Sequence, residues 1–187
     1  MASFFERPIP ADIWGRMEAI VAGAAIQEGE SVLDVGTGTG ALIPIILAYS
    51  PGQLIACDLS GEMLKRARLR FGDRVTFYQR DVLELADELG PVDVMIFNAC
   101  FSNMHDQVEA ARVAANLLRP GGRLVISHPM GSAFVRHLHQ EDPLMVPHLL
   151  PDEQEARSLL QAAGLELVNF TDEPLLYSLV GRKPPKP

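Results

Sequence analysis

Glycine occupies every second position from Gly36 to Gly40 in the run Val32-Leu33-Asp34-Val35-Gly36-Thr37-Gly38-Thr39-Gly40, and no other stretch restricts the fold as much. Val32 to Val35 is β-type and apolar around a single acid, and Ala41 to Leu47 is apolar again. This reads as a buried strand ending at Val35, a tight turn, and a helix opening near Gly40. Glycine suits such a turn because it adopts backbone angles closed to other residues and has no Cβ to obstruct a ligand. Turns of this kind lie at the carboxyl edge of a parallel sheet, where α/β proteins take nucleotides and related cofactors.

The rest of the chain alternates in the same way. An apolar helix is expected over 41–49, ending near Ser50-Pro51-Gly52, followed by a strand Gln53 to Cys57 closed by Asp58. Ser60 is a cap for the next helix. Val75 to Gln79 reads as a third strand with Asp81 beyond its end, and Val92 to Phe97 as a fourth. A helix over 106–118, with Val108, Ala111, Ala115 and Leu118 at helical spacing, stops at Arg119-Pro120-Gly121-Gly122, and Arg123 to Ser127 is the fifth strand. Short strand–helix alternation implies right-handed βαβ units and a parallel sheet. After a helix over 152–163, Leu165 to Phe170 and Leu175 to Gly181 are joined too closely to be anything but an antiparallel pair. One domain over 1–187 is expected. Residues 1–28 form an N-terminal helical lid segment with its helix over 11–25, 131–151 a connection, and 182–187 a proline-rich frayed tail.

Composition narrows the partners. A net charge of −8 argues against a nucleic-acid surface, and the basic stretch Lys65 to Arg70 is the solvated face of a helix. No apolar run reaches the length of a membrane span, and Met1 to Pro8 has no signal-peptide pattern. Cys57 and Cys100 sit in or just after apolar strands and read as buried reduced thiols, so a cytoplasmic location is expected.

Together these positions resemble the class I S-adenosylmethionine-dependent methyltransferases, in particular the branch acting on quinones and small metabolites. Asp34 to Gly40 is similar to that family's first motif, Asp58 to its acid ending the second strand, and Asp81-Val82 to its acid–apolar pair after the third. Leu118-Arg119-Pro120-Gly121-Gly122 is similar to the turn before its fifth strand. The resemblance covers nearly the whole chain. It implies a three-layer Rossmann-like α/β fold with a seven-stranded, mostly parallel sheet of order 3-2-1-4-5-7-6, the last strand antiparallel. It also implies S-adenosyl-L-methionine as cofactor and S-adenosyl-L-homocysteine as product. Asp34, Gly36, Thr37, Gly38 and Gly40 would then form the cofactor turn, with Asp34 steadying the turn or facing the cofactor's ammonium group. Asp58 would take the ribose hydroxyls, Asp81 the adenine amino group, and Leu59, Met63 and Val82 the adenine faces, with the backbone near Asn98 accepting from the cofactor's amino group. The competing cofactor is a nicotinamide dinucleotide, since Gly36-x-Gly38-x-x-Ala41 also fits the permissive dinucleotide fingerprint. Against it, the chain has no second mononucleotide-binding half and no Tyr-x-x-x-Lys pair.

The acceptor, a small molecule, is expected beyond the fourth and fifth strands, with transfer by in-line displacement. His128 is the first candidate base and His105, beside Asp106, the second; the plain alternative for each is a loop or capping histidine. His137, His139, Glu141, Asp142 and His148 match no tight metal-ligand spacing, so no metal site is assigned. Phe134, Leu138, Met145, Val146, Leu149 and Leu150, with Phe4, Phe5 and Trp14, either roof an apolar acceptor pocket or belong to the core. A cofactor-binding or assembly subunit without transfer activity is the alternative from another functional class, because no catalytic residue is specified. Oligomeric state is left open.

Overall fold

The structure, a computed structural model, describes residues 9–85 and 88–185. Its strands are β1 Ser31–Val35, β2 Gln53–Asp58, β3 Thr76–Gln79, β4 Val92–Asn98, β5 Leu118–His128, β6 Glu166–Glu173 and β7 Leu176–Arg182. They form one seven-stranded sheet in the order β3-β2-β1-β4-β5-β7-β6, as expected. β1 to β5 are parallel, and β7 runs antiparallel to both β5 and β6. Every residue of β1 is buried, as a central parallel strand covered on both faces must be.

Helices cover the two faces. Met17, Ile20 and Val21 of α1 (Ala11–Gly23) and Ile43, Ile45 and Ile46 of α2 (Ile43–Leu47) pack on Val32, Val94, Ile96 and Val125. α3 (Gly61–Phe71) adds Phe71 to the same face. The other core joins Leu33, Met95, Phe97, Leu124 and Ile126 to α4 (Val82–Leu85), α5 (Gln107–Leu117), α6 (Gly131–Glu141) and α7 (Glu153–Ala162). Caps fix the helix starts: Ser60 accepts from the Met63 amide, Asp106 from Glu109, and Asp152 forms a reciprocal capping box with Glu155.

Four details differ from the sequence reading. α2 is shorter than 41–49 because residues 48–50 tighten into i→i+3 bonds and Ser50 turns to φ +53°. Val108 is exposed; the buried face of α5 is Ala110, Ala111, Val113, Ala114, Ala115 and Leu117. The 131–151 connection contains a full helix, α6, whose start has no side-chain cap to announce it. The tail does not fray at 182: β7 continues to Arg182, and Lys183 exchanges backbone bonds with Gly121 and Gly122 while its Nζ donates to the Ala115 and Leu118 carbonyls.

Candidate active site

β1 lies between β2 and β4, with Val35 level with Cys57 on one side and Phe97 on the other. Crossovers leave this point in opposite directions, so a crevice opens at the carboxyl ends of the three strands. Gly36, Asp58 and Asn98, each one residue farther along, emerge there together. A cavity of about 430 Å³ occupies the crevice, with Val35, Gly36, Cys57, Asp58, Leu59 and Arg80 among its lining residues. Asp81 and Val82 line it as well, and Ala99, Cys100, Asn103, Met104 and His105, from the segment after β4, complete the lining.

Asp58 shapes the glycine turn itself. One carboxylate oxygen accepts from the Gly38 amide and the other from Ser60, each at 2.8 Å. Each oxygen keeps a second acceptor position for a ligand hydroxyl. Asp81 accepts from the Leu83 amide through Oδ1 at 3.0 Å, which leaves Oδ2 for a ligand donor. Leu59 lines the cavity and is 69% exposed, an apolar side chain available to a ligand there. Gly36 has φ +65°, and a Cβ there would stand 2.7 Å from Cys100 Cβ. The turn therefore passes Cys100 at a distance that only glycine permits.

Other turn residues face inward. Thr37 donates its hydroxyl to Asp34 at 2.6 Å and its amide to the Cys57 carbonyl. Asp34 is 2% exposed, and burial pushes its carboxyl up to about 7, against the Thr37 bond and with a contribution from the Asp58 charge. Gly40 makes room for Phe71 and Ile43, since a Cβ would lie 2.7 Å from each. Met63 contributes its amide to the Ser60 cap, and Asn98 accepts from the Ser127 hydroxyl through Oδ1. Thr37, Gly40, Met63 and Asn98 thus support the cavity without lining it.

The two histidines separate. His105 borders the cavity and is exposed, but Asp106 gives its carboxylate to the α5 cap and is not its partner. His128 lies outside the lining; its Nδ1 accepts from the Met130 amide at 3.1 Å and its ring packs on Phe134. Burial pulls its pKa down to about 4, so the ring is neutral with its Nδ1 lone pair committed to a turn. That is a capping arrangement rather than one that collects a proton.

Sequence reasoning missed Ala99, Cys100, Asn103 and Met104 as lining residues. Ala99 sits at φ +57°, which bends the chain after β4 back over Gly36. Cys100 donates to the Val35 carbonyl at 3.2 Å, and burial pushes its thiol well above the ordinary range; burial also pushes the Cys57 thiol up, to about 12, so both are free and neither is an activated nucleophile. Of the proposed roof, Val146 and Leu150 are core, Leu138 packs against the core, and Met145 and Leu149 are exposed. The 142–150 loop is tied to the cavity wall by Asn103 Nδ2, which donates to the Met145 carbonyl, and to the start of α5 by Gln107 Nε2, which donates to that of Leu149. Phe4 and Phe5 lie outside the described residues. His137 pairs with Glu141, His139 meets the Val146 carbonyl and His148 that of His105. Among the described residues no three potential ligands gather around a metal position.

Comparison with known proteins identifies the family. Residues 26–164 match the family described as methyltransferase domain. The chain belongs to that family. It is a class I S-adenosylmethionine-dependent methyltransferase, and the antiparallel β6–β7 end replaces the second mononucleotide half that a nicotinamide reading would require. Among curated relatives, the ubiquinone/menaquinone biosynthesis C-methyltransferase UbiE of Vibrio vulnificus is 26% identical over 199 residues, covering 90% of this chain and 74% of that protein. The Vibrio parahaemolyticus protein of the same name is 29% identical with the same coverage. Two solved structures share the methyltransferase's fold. One is the methyltransferase in complex with the Haloferax volcanii Trm112 methyltransferase activator (TM-score 0.77, 21% identity, 91% of this chain and 90% of that one). The other is an S-adenosylmethionine-dependent methyltransferase from Mesorhizobium loti (TM-score 0.72, 19% identity, 91% and 100%). No helix among the described residues is long and apolar enough to cross a membrane.

Proposed function

We propose that residues 1–187 act as one catalytic domain that methylates a small, partly apolar acceptor by in-line displacement. The observation that carries this reading is the cavity of about 430 Å³ lined by Asp58 and Asp81, their remaining acceptor positions free, and by the 99–105 segment. Bound S-adenosylmethionine supplies a methyl group on a sulfonium sulfur, which keeps the electron pair of the broken bond. Asp58 holds the ribose hydroxyls, and Asp81, Val82 and Leu59 hold adenine. Gly36 and Gly38 admit the backbone edge, with Thr37, Gly40 and Met63 bracing the turn. The backbone at Asn98 accepts from the ammonium group, and Asp34 balances its charge from below.

What this chain adds to the reaction is placement: fixing two reactants in line is worth effective molarities on the order of 10⁵–10⁸ M. The acceptor enters past Ala99 to His105, and the proton it loses goes to solvent or to His105. The negative net charge and the apolar side chains Ala99 and Met104 on this wall support an uncharged, partly apolar acceptor over a polyanion. The relatives' C-methylation in ubiquinone/menaquinone biosynthesis makes quinols and phenols the first compounds to test.

Calorimetry with S-adenosylmethionine and with NAD tests the cofactor, and labelled-methyl transfer to a panel of quinols, phenols, amines and carboxylic acids tests the acceptor. Saturable binding of S-adenosylmethionine and transfer to one class are expected. Absence of that binding would refute the reading. Binding without transfer to any class would favour a cofactor-binding subunit instead.

A further inference from the structure

Among the described residues, one side-chain polar atom is both buried and without a hydrogen-bond partner: Nε of Arg16. Arg16 is on α1, and its side chain is only 16% exposed. Its guanidinium carries five donors in a rigid fork. Nη2 gives one to Asp12, an exposed carboxylate, at 2.7 Å, and stands 4.0 Å from the sulfur of Met130. A thioether is a weak acceptor, and a buried donor of a charged group left unmatched costs folding free energy.

The location of this unmatched donor is informative. At the far end of α1, Arg123 near the beginning of β5 donates to the Ala24 and Ala25 carbonyls. α1 therefore runs antiparallel to β5, and Arg16 is at the carboxyl edge, where Met130 follows the last β5 residue, His128, by two positions. α1 covers the sheet face to which Val94, Ile96 and Val125 point. By strand alternation Asn98 and Ser127 point to that face too. Arg16 thus stands at the carboxyl edge of the sheet, just past the end of β5, the same edge on which the cavity opens.

We propose that Arg16 is an anion-binding residue of this active site, its Nε edge receiving a ligand carboxylate. This rests on the methyl-transfer reading above. Met130, unbranched and flexible, holds the place and swings aside when a stronger acceptor arrives. An arginine edge matches a carboxylate with two parallel bonds, which lysine does not reproduce. Two carboxylates can reach this position: that of the cofactor's methionyl end, or that of an acidic acceptor.

Calorimetry on wild type, Arg16→Gln and Arg16→Lys separates them. Three probes are used: S-adenosylhomocysteine; 5′-methylthioadenosine, which lacks the amino-acid group; and benzoate added to the protein saturated with S-adenosylhomocysteine. Service to the cofactor weakens S-adenosylhomocysteine binding by Arg16→Gln about 10–100-fold, leaves 5′-methylthioadenosine unchanged, and gives Arg16→Lys a smaller loss. Service to the acceptor leaves both nucleosides unchanged and abolishes a benzoate heat that wild type shows. Thermal unfolding confirms that the variants fold. Equal loss of both nucleosides would mark a structural role and overturn the proposal. So would variants that bind S-adenosylhomocysteine as wild type does while benzoate binds all three proteins alike or none. Wild-type protein that binds no S-adenosylhomocysteine would instead overturn the reading of the site, and this proposal with it.

Discussion

Asp34 offers the sharpest quantitative test, because a carboxyl group has been buried where a cationic ligand group is expected. The side chain is 2% exposed, its protein donor is the Thr37 hydroxyl at 2.6 Å, and burial raises its pKa from 3.8 to about 7. In the unfolded chain it ionises near its ordinary value; in the empty fold it keeps its proton up to about neutral pH. A raised folded pKa stabilises the fold fully below the unfolded pKa, and that stability is lost as pH rises through the folded one. About three units at about 1.4 kcal/mol each give a total near 4 kcal/mol, of which about 2–3 kcal/mol disappears between pH 5 and pH 8.

Asp34→Asn keeps the shape and an acceptor for Thr37 but cannot ionise. Thermal unfolding of both proteins without ligand, at pH 5, 6, 7 and 8, isolates the effect. The wild-type melting temperature is expected to fall relative to that of the variant by about 5–10 °C across the range, using about 2–4 °C per kcal/mol for a chain of this size. With S-adenosylhomocysteine the order reverses. Its ammonium draws the proton off Asp34, so wild-type affinity rises with pH toward 7 and binding below 7 releases up to about one proton, while Asp34→Asn binds more weakly and without that dependence. Parallel melting profiles, with a constant difference from pH 5 to 8, would refute the claim that Asp34 is protonated in the empty fold.

Other substitutions probe neighbouring parts. Asp58→Ala removes an acceptor from the Gly38 and Ser60 amides and from the ribose, and is expected to weaken S-adenosylhomocysteine about 10–150-fold, the worth of 1.5–3 kcal/mol of charge-assisted bonds; unchanged affinity in calorimetry would count against the ribose assignment. Gly36→Ala places a Cβ 2.7 Å from Cys100 Cβ at φ +65°, so a loss of about 1–3 kcal/mol in denaturant unfolding is expected, partly restored by adding Cys100→Gly. Tyr177→Phe leaves the Pro151 carbonyl without its 2.7 Å donor in the core and should destabilise by about 1–3 kcal/mol with S-adenosylhomocysteine affinity kept, because neither residue lines the cavity. His128→Gln retains an acceptor for the Met130 amide and is expected to keep methyl-transfer activity; loss of turnover with intact S-adenosylhomocysteine binding and folding would restore His128 as the base.

The strands were legible in the chain because each is a short apolar run bounded by its own turn chemistry, and the resemblance of their bounding motifs to the methyltransferase family supplied their order. The Ser60, Asp106 and Asp152 caps and the short β6–β7 connection did the same for helix starts and for strand direction. Local pattern also located Gly36, Asp58 and Asp81, since each lies at a strand end or within two residues of one and parallel strands deliver their ends to one edge. α6 was not legible: its start has no side-chain cap, and its two buried residues, Gly131 and Val135, lie among histidines and other polar residues.

Which side chains reach the cavity depended on distances between segments remote in sequence, which no local pattern encodes. The chain turns at Ala99 and lays Cys100 over Gly36, so a cysteine that read as a buried thiol became part of the cavity lining. Thr37 and Gly40, equally prominent in the motif, turned inward to Asp34 and Phe71. His128 and Arg16 exchanged importance for the same reason. Burial and a backbone amide at 3.1 Å commit the histidine to a turn, while α1 carries an arginine with an unmatched Nε to the edge where the ligand must sit. Sequence set the strands and the cofactor edge, because those follow from local periodicity and turn chemistry, while the order of the strands came from the family resemblance. Tertiary packing alone decided protonation and unmet hydrogen bonding, because both depend on what surrounds a group in space.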